Sequence, residues 1–367
     1  MRVLQAANFV SATSGGLRTA LDHLAGGYAA AGHEVVQLVP GPADDVVATG
    51  WGRRVVLRSP ALVVAPGYRA LLDRRRVRSA VERFAPDVLE VHDRTTLRWL
   101  GRWARAAGVP SLTVSHERLD RWVRQFTRLP GTAVADRVNA GLVADFDTVV
   151  CTTEWAAAEF RRIGAEHLVV VPLGVDAGTF AARTGERPGR TEGVRLVMAS
   201  RLSWEKRPDL AVSTLRALRR RGVDARLVVA GEGPLRRPLQ AAARGLPVQW
   251  LGYVSGRDRL AGVLADGDVA LAPGPIETFG LAALEALACG TPVVASSASA
   301  LPGVLGPRAG RSAAGTGAAL ADAVQDLLTV PEQVRREAAR ERAEQFPWDA
   351  TVRGFLAVHE AAVRAAA

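Results

Sequence analysis

The sequence predicts an α/β protein of two domains, each built on a doubly wound parallel sheet with helices on both faces. Three observations carry this. The chain has 367 residues, enough for about two domains of roughly 100–200 residues each. Short runs rich in Val and Leu alternate with helix-like stretches from end to end. A polar, Gly-rich stretch at 177–193, AGTFAARTGERPGRTEG, interrupts that alternation near the middle and reads as an interdomain linker.

Composition narrows the class. A hydrophobic content of 48% with 23% charged residues suits a soluble α/β enzyme, and no run approaches the roughly 20 apolar residues of a membrane span. The start, MRVLQAANF, has one Arg and a short strand-like run without a cleavage site, so no signal peptide is expected. Cys151 and Cys289 each edge an apolar element and read as reduced core thiols, which together with the missing signal predicts a cytoplasmic protein. The formal charge of +10 invites an acidic partner: nucleic acid, anionic lipid or a nucleotide sugar. Nucleic acid is disfavoured, because the basic residues are dispersed over helices and no binding module is apparent.

Taken in order, residues 3–7 form a strand, followed by a loop, a helix and a glycine turn through 34. Gly15 and Gly16 open that helix, where backbone can approach an anion or a sugar; a plain helix cap is the other reading. No G-x-G-x-x-G with a downstream acid is present, so a dinucleotide fingerprint is missing. Strands VVQLV, VVLR, DVLEV and LTVS alternate with helices expected at 68–84 and 95–107. LTVS delivers Ser115, His116 and Glu117 at its carboxyl end, the edge where such sheets place sites, although a lone histidine there is more often structural. The next segment is amphipathic: Leu119, Trp122, Val123 and Phe126 recur at helical spacing, with Arg118, Arg121, Arg124 and Arg128 on the other faces. Its stripe either packs into the core or lies on an anionic membrane.

Strand DTVVCTT, helix EWAAAEFRRIG and strand LVVVPLGVD close the first half. VRLVMASRL opens the second, with Arg201 and Lys206 just past the strand, where a guanidinium fork and a compact ammonium suit a pyrophosphate. Lys206 is the single lysine in a chain with 47 basic residues, which favours a specific role over a solvated surface charge. ARLVVAGEGPLR repeats the strand, glycine turn, helix theme, and VQWLGYVSG adds a strand whose exit loop would face a base. Asp266-Gly267-Asp268 is formally a D-x-D, but it precedes its strand, the wrong end for a metal at the carboxyl edge.

The stretch at 274–296, GPIETFGLAALEALACGTPVVAS, concentrates the chemistry. A helix is expected from about Phe279 to Cys289, stopped by Gly290 and Pro292, so the N–H groups of Phe279, Gly280 and Leu281 would be available to a phosphate. Glu277 sits ahead of that helix and Glu285 inside it, flanked by Leu284, Ala286 and Leu287. Each carboxylate taken alone could be incidental, but one on so apolar a helix is costly without a partner.

The pair Glu277 and Glu285, with FGL after the first and EALACGTPVV around the second, resembles the family 4 retaining glycosyltransferases of the GT-B fold. Over nearly the full length the likeness is to bacterial GDP-mannose-dependent phosphatidylinositol mannosyltransferases, through SGGLRTA, SHERLDR, CTT, VPLGVD, AGEGPLR and ALAPGPIETFGLAALEALACGTP. The resemblance implies two Rossmann-like domains facing across a cleft: an acceptor domain at 1–172 and a donor domain at 173–347, with a last helix at 348–367 crossing back. It implies retention of configuration with the acceptor attacking from the leaving-group face, no cofactor and no metal. It places His116 by the reacting sugar, Arg201 and Lys206 on the diphosphate, Glu277 on sugar hydroxyls and Glu285 on the ribose. Gly15, Gly16, Gly231, Tyr253, Val254, Thr278, Phe279, Gly280 and Leu281 complete the donor surroundings. The donor so implied is GDP-mannose and the acceptor a glycolipid such as a phosphatidylinositol mannoside, reached on the inner face of the membrane through Arg118, Arg121, Trp122, Arg124 and Phe126. A UDP-sugar transferase with a soluble acceptor stays open, as does a pyridoxal-dependent phosphorylase, whose Schiff base would require Lys206.

Overall fold

The computed structural model describes residues 1–10, 15–62, 67–127, 131–181 and 193–366, the side chain of Phe126 excepted. Arg128 and residues 182–192 of the polar stretch therefore lie outside the described residues. The chain divides into two compact units, Met1–Leu173 with Trp348–Ala367, and Gly174–Pro347.

The first unit runs β1 Arg2–Ala6, α1 Gly16–Ala30, β2 Glu34–Gly41, β3 Asp45–Thr49, β4 Gly52–Arg58, α2 Arg74–Phe84, β5 Val88–Val91, α3 Trp99–Ala106, β6 Ser111–Ser115, α4 Leu119–Thr127, α5 Thr132–Asp145, β7 Thr148–Cys151, α6 Glu154–Arg161 and β8 Leu168–Val170. Its sheet has the order β3-β4-β2-β1-β5-β6-β7-β8. Every pair is parallel except β3 with β4. Strands β1 and β5 are neighbours although far apart in sequence, so the order reverses between them. Their carboxyl ends are where such a sheet places a site.

The second unit runs β9 Val194–Ala199, the 3-10 turn Trp204–Lys206, α7 Pro208–Arg220, β10 Ala225–Ala230, α8 Arg236–Ala242, β11 Val248–Gly252, α9 Arg257–Ala265, β12 Val269–Ala272, α10 Leu281–Ala288, β13 Val293–Ser296, α11 Leu301–Leu305, β14 Gly310–Ala313, α12 Gly317–Leu328 and α13 Glu332–Ala343. The sheet order is β11-β10-β9-β12-β13-β14, parallel throughout, and the order reverses between β9 and β12. After Pro347 the chain rejoins the first unit as α14 Trp348–Ala366, where Phe355 and Val358 pack with Val3, Leu24 and Tyr28.

Three sequence expectations change, and one strand was not anticipated. The polar stretch at 177–193 is not the crossing point, since its described start is fastened to the second unit. Arg340 donates to the carbonyls of Ala177 and Phe180, and Arg257 lies over the Phe180 ring. The helix expected at 68–84 begins only at Arg74, because the Asp73 side chain accepts from the N–H groups of Arg75 and Arg76 and caps it there. The helix expected at 95–107 begins at Trp99, because Asp93 takes the Thr95 N–H at 2.7 Å and holds the chain in a turn. Strand β3 went unread because DVVAT faces solvent on an edge, with Val46 62% exposed, and carries no alternation.

Candidate active site

In the second unit the chemistry gathers at the carboxyl ends of β9 and β12. Past β9 the chain turns at Ser200–Arg201 and reaches Lys206 on its 3-10 turn. Past β12 it passes Gly274 and reaches Glu277. A Cβ on Gly274 would stand 3.0 Å from the Glu205 carbonyl and 3.3 Å from the Lys206 Cα, so the missing side chain lets the two loops close on each other. The result is an ion pair between Lys206 Nζ and Glu277 Oε1, residues 71 apart in sequence. Arg201 pairs in turn with Glu205 at 2.5 Å, and the Ser203 hydroxyl donates to the same carboxylate at 2.5 Å. Burial pushes the Glu205 carboxyl up, but Ser203 and Arg201 outweigh it and hold the group below its ordinary range. Both cations expected to face a diphosphate thus already have a carboxylate. An incoming anion competes with Glu205 and Glu277 for them.

Helix α10 begins at Leu281, two residues later than the sequence suggests. Gly280 caps it in the left-handed region at φ 81, and a Cβ there would meet Leu301 Cδ2 at 2.6 Å. The first-turn N–H groups are therefore those of Leu281 and Ala282, since Ala283 and Leu284 both donate to the Gly280 carbonyl. Phe279 supplies no site surface through its side chain, which is buried edge-on against Phe346 with centroids 5.9 Å apart; Thr278 is buried beside it. Gly231 has a structural reason: at φ 151, a Cβ would stand 1.9 Å from the Ser200 carbonyl oxygen. Tyr253 is 53% exposed and Val254 half-buried in the loop after β11.

Glu285, half-buried on α10, is pushed up to about 7 by burial, with Arg257 pulling the other way. The sign follows. A carboxyl whose folded value lies above its unfolded value of 4.5 adds stability fully below that value, and the gain is lost as pH rises through about 7. Glu285→Gln should accordingly raise the melting temperature at about pH 8 and change it little at about pH 5. An equal shift at both pH values, read by thermal denaturation, would refute this.

In the first unit, Gly15 and Gly16 open α1 in exposed positions, and a Cβ on Gly15 would meet nothing within 4 Å. His116 leaves β6 at its carboxyl end. Its Nε2 lies 2.7 Å from Nδ1 of His92, which leaves the neighbouring strand β5, and the rings stack with centroids 5.0 Å apart. Burial, with smaller contributions from His92 and Arg94, drives His116 down to about 3 against the pull of Glu90, so the ring is neutral at physiological pH. The turn bearing His116 is held by Arg94, which donates to the Ser115 hydroxyl and the Glu117 carbonyl and pairs with the fully buried Glu159 at 2.8 Å. Glu159 also accepts the Leu119 N–H at 3.0 Å.

The amphipathic segment forms α4, and its stripe is not simply core: Trp122 is 44% exposed. Arg124 is exposed and Arg121 half-buried. Arg118 corrects the sequence expectation. It pairs with Asp120 at 2.9 Å, donates to the Trp155 carbonyl at 3.0 Å and lies over the Trp155 ring, with its side chain only 11% exposed. It therefore fixes the start of α4 and does not face lipid. The Phe126 side chain lies outside the described residues.

The sequence reading missed Glu90, His92, Arg94, Glu205, Arg257 and His359. HDR directly after DVLEV was a usable signal, since it places His92, Asp93 and Arg94 at a strand's carboxyl end. Asp268 accepts the Arg195 N–H at 2.8 Å and so ties the amino end of β9 to the residue before β12. Among the described residues, no group of three or more His, Cys, Asp or Glu side chains is placed to hold a metal ion, and both cysteines are buried and free.

Comparison with known proteins gives this geometry a context. Residues 14–178 match the family "Glycosyltransferase Family 4", and residues 193–330 match "Glycosyl transferases group 1". A GDP-mannose-dependent α-(1-6)-phosphatidylinositol dimannoside mannosyltransferase of Mycobacterium tuberculosis is 48% identical over 365 residues, covering 97% of this chain and 95% of that protein. A glycogen synthase of the same species is 30% identical, covering 99% of this chain and 95% of that one. Among solved structures, sucrose-phosphate synthase from Thermosynechococcus elongatus superposes with a TM-score of 0.81 at 20% identity, covering 98% of both chains. An Anabaena protein solved with UDP-glucose gives 0.76 at 17% identity, covering 98% of this chain and 100% of that one. The two parallel Rossmann-like sheets are those of the GT-B fold, and the chain belongs to the family 4 retaining glycosyltransferases.

Proposed function

We propose that the protein transfers mannose from GDP-mannose, with retention, to a hydroxyl of a phosphatidylinositol mannoside. The observation that carries this reading is the 48% identity, spread over 97% of the chain, to a mannosyltransferase with that donor and that class of acceptor.

In this reading the second unit holds the donor. Its diphosphate takes Arg201 and Lys206 from their carboxylates, with the N–H groups of Leu281 and Ala282 as further donors. Glu277, released from Lys206, accepts hydrogen bonds from sugar hydroxyls, and Glu285 accepts them from the ribose. Tyr253 lies beside the base. The bond from the anomeric carbon to the phosphate oxygen breaks, with its electron pair going to the diphosphate, where the cations meet the growing charge. The acceptor oxygen bonds to the same face of that carbon, and its proton passes to the departing phosphate oxygen. His116, neutral, acts through hydrogen bonding and not as an acid.

The test is direct. Purified protein given phosphatidylinositol dimannoside should consume GDP-mannose and yield a lipid with one more mannose, while UDP-glucose and UDP-N-acetylglucosamine remain unused. Turnover confined to a UDP-sugar, or to a soluble acceptor, would overturn the reading.

A lipid acceptor calls for a membrane contact, since no helix among the described residues is long and apolar enough to cross a bilayer. The proposed contact is α4, through Arg121, Trp122 and Arg124, on the inner leaflet. Each basic residue near an anionic surface contributes about 1 kcal/mol. Trp122 adds an apolar part that salt does not screen. Replacing Arg121 and Arg124 by Ser and Trp122 by Ala should abolish flotation with anionic vesicles while GDP-mannose binding persists. Equal flotation of variant and wild type would remove α4 from the membrane.

A further inference from the structure

We infer that Glu205 is a resident counter-ion of Arg201 that limits how tightly the second unit holds a nucleoside diphosphate, and so speeds release of the spent nucleotide; this rests on the donor site assigned above and concerns the step after transfer. The loop that carries both residues has its backbone fixed on both sides. The Ser200 N–H donates to the Ala230 carbonyl at 3.1 Å, the Leu202 N–H to the Glu232 carbonyl at 2.8 Å, and the Leu235 N–H to the Leu202 carbonyl at 3.0 Å. Gly233 permits this approach, since a Cβ there would stand 2.4 Å from the Leu202 carbonyl oxygen. On the other side Gly274 lies against Glu205 and Lys206. A change of partner at Arg201 is therefore a side-chain event.

Within that loop Arg201 Nε donates to the Ser203 hydroxyl at 3.2 Å, Arg201 Nη2 donates to Glu205 Oε1 at 2.5 Å, and the Ser203 hydroxyl donates to the same oxygen at 2.5 Å. The carboxylate is ionised, since Ser203 and Arg201 hold it below its ordinary range although burial pushes it up. The Glu205 side chain is 20% exposed and that of Arg201 44%, so an anion can still reach the guanidinium. A diphosphate arriving there meets a second anion. If Glu205 stays on Arg201, the two anions repel across one planar group. If it leaves, it gives up a cation and keeps the uncharged Ser203 hydroxyl. Both courses weaken the diphosphate complex. Glu277 differs, because in the donor reading sugar hydroxyls replace Lys206 for it, whereas Glu205 gains no such replacement. Slow departure of product limits turnover in many enzymes, so a built-in competitor for the guanidinium favours the next cycle.

Calorimetric titration of the full chain with GDP and with UDP tests this. Glu205→Gln keeps an oxygen for Arg201 and Ser203 but removes the charge, and it should bind GDP about three- to tenfold more tightly than wild type. Glu205→Asp keeps the charge and should not tighten GDP. A damaged fold weakens binding, so a gain in affinity has no merely structural origin. The dissociation rate of a fluorescent GDP analogue should fall by the same factor, because changes within one site act mainly on release. Glu205→Ala, which also removes the charge, takes the place of Glu205→Gln if that variant fails to fold. GDP binding that is unchanged or weaker in the charge-free variant overturns the proposal, as does an equal gain in Glu205→Asp or a gain confined to the association rate. Wild type that binds UDP and not GDP, with UDP tightened by Glu205→Gln, instead counts against the base assigned above and leaves Glu205 its role. Wild type that binds neither overturns both.

Discussion

Lys206→Ala is expected to lower turnover by roughly 100- to 1,000-fold, the range seen when one donor is removed from a site of developing negative charge. In the resting protein Lys206 is paired with Glu277, so the ammonium is already neutralised and the fold does not wait for the diphosphate to balance it. As the glycosidic bond breaks, charge accumulates on the leaving oxygen, and an ammonium beside it is worth more than it was in the ground state. The loss should therefore appear mainly in kcat. Glu277 is partly exposed and can turn to water when its partner is gone, so the variant should fold. Lys206→Arg should restore little, because a planar fork cannot take the place of a compact point charge between two close loops. Steady-state kinetics with GDP-mannose measures both variants. Retention of more than about half of wild-type turnover by Lys206→Ala would exclude the role.

Arg94→Ala is expected to destabilise the first unit by about 3–5 kcal/mol, the cost of leaving one member of a buried ion pair without the other. Arg94 is 5% exposed and Glu159 not at all. The guanidinium also donates to the side-chain oxygen Oδ1 of Asn139 at 3.2 Å, to the Ser115 hydroxyl and to the Glu117 backbone carbonyl. Its removal leaves the buried Glu159 carboxylate without its counter-charge, although the N–H groups of Leu119 and Asp120 still donate to it, and frees the turn of His116 at once. The first unit's melting transition should fall by on the order of 10 °C. Arg94→Ala with Glu159→Gln should recover a substantial part, since the buried charge then disappears. Calorimetry distinguishes the two: a double variant no more stable than the single one would mean that Arg94 acts through its other bonds and not through the ion pair.

The sequence by itself determined the fold class and the family. Val-rich runs alternating with helix-like stretches can bury both faces of a parallel sheet in only a few ways, and the Glu277–Glu285 stretch with its glycines is local enough to be read along the chain. It also singled out Arg201 and Lys206, because both follow one strand within a few residues. Their carboxylate partners were not equally legible. Glu205 is adjacent in sequence, but Glu277 reaches Lys206 only because β9 and β12 are neighbours in the sheet. Along α4 the periodicity was real, yet it could not tell that Arg118 turns inward to Asp120 and Trp155 while Trp122 stays exposed. That choice depends on α6, which carries Trp155 and lies well downstream.

The largest gap is the network around the fully buried carboxylate of Glu90 on β5, which Gln5, Tyr28, His92 and His359 meet at 2.5–2.9 Å. Gln5, Tyr28, His92 and His359 are each unremarkable where they stand in the sequence, and His359 is 269 residues from the carboxylate it meets. Only the parallel pairing of β1 with β5, and the return of α14 to the first unit, bring them to one atom group. A carboxylate can be kept ionised in a core by donors from any element that reaches it. Which elements reach it is a property of tertiary packing, and periodicity along the chain carries no record of it.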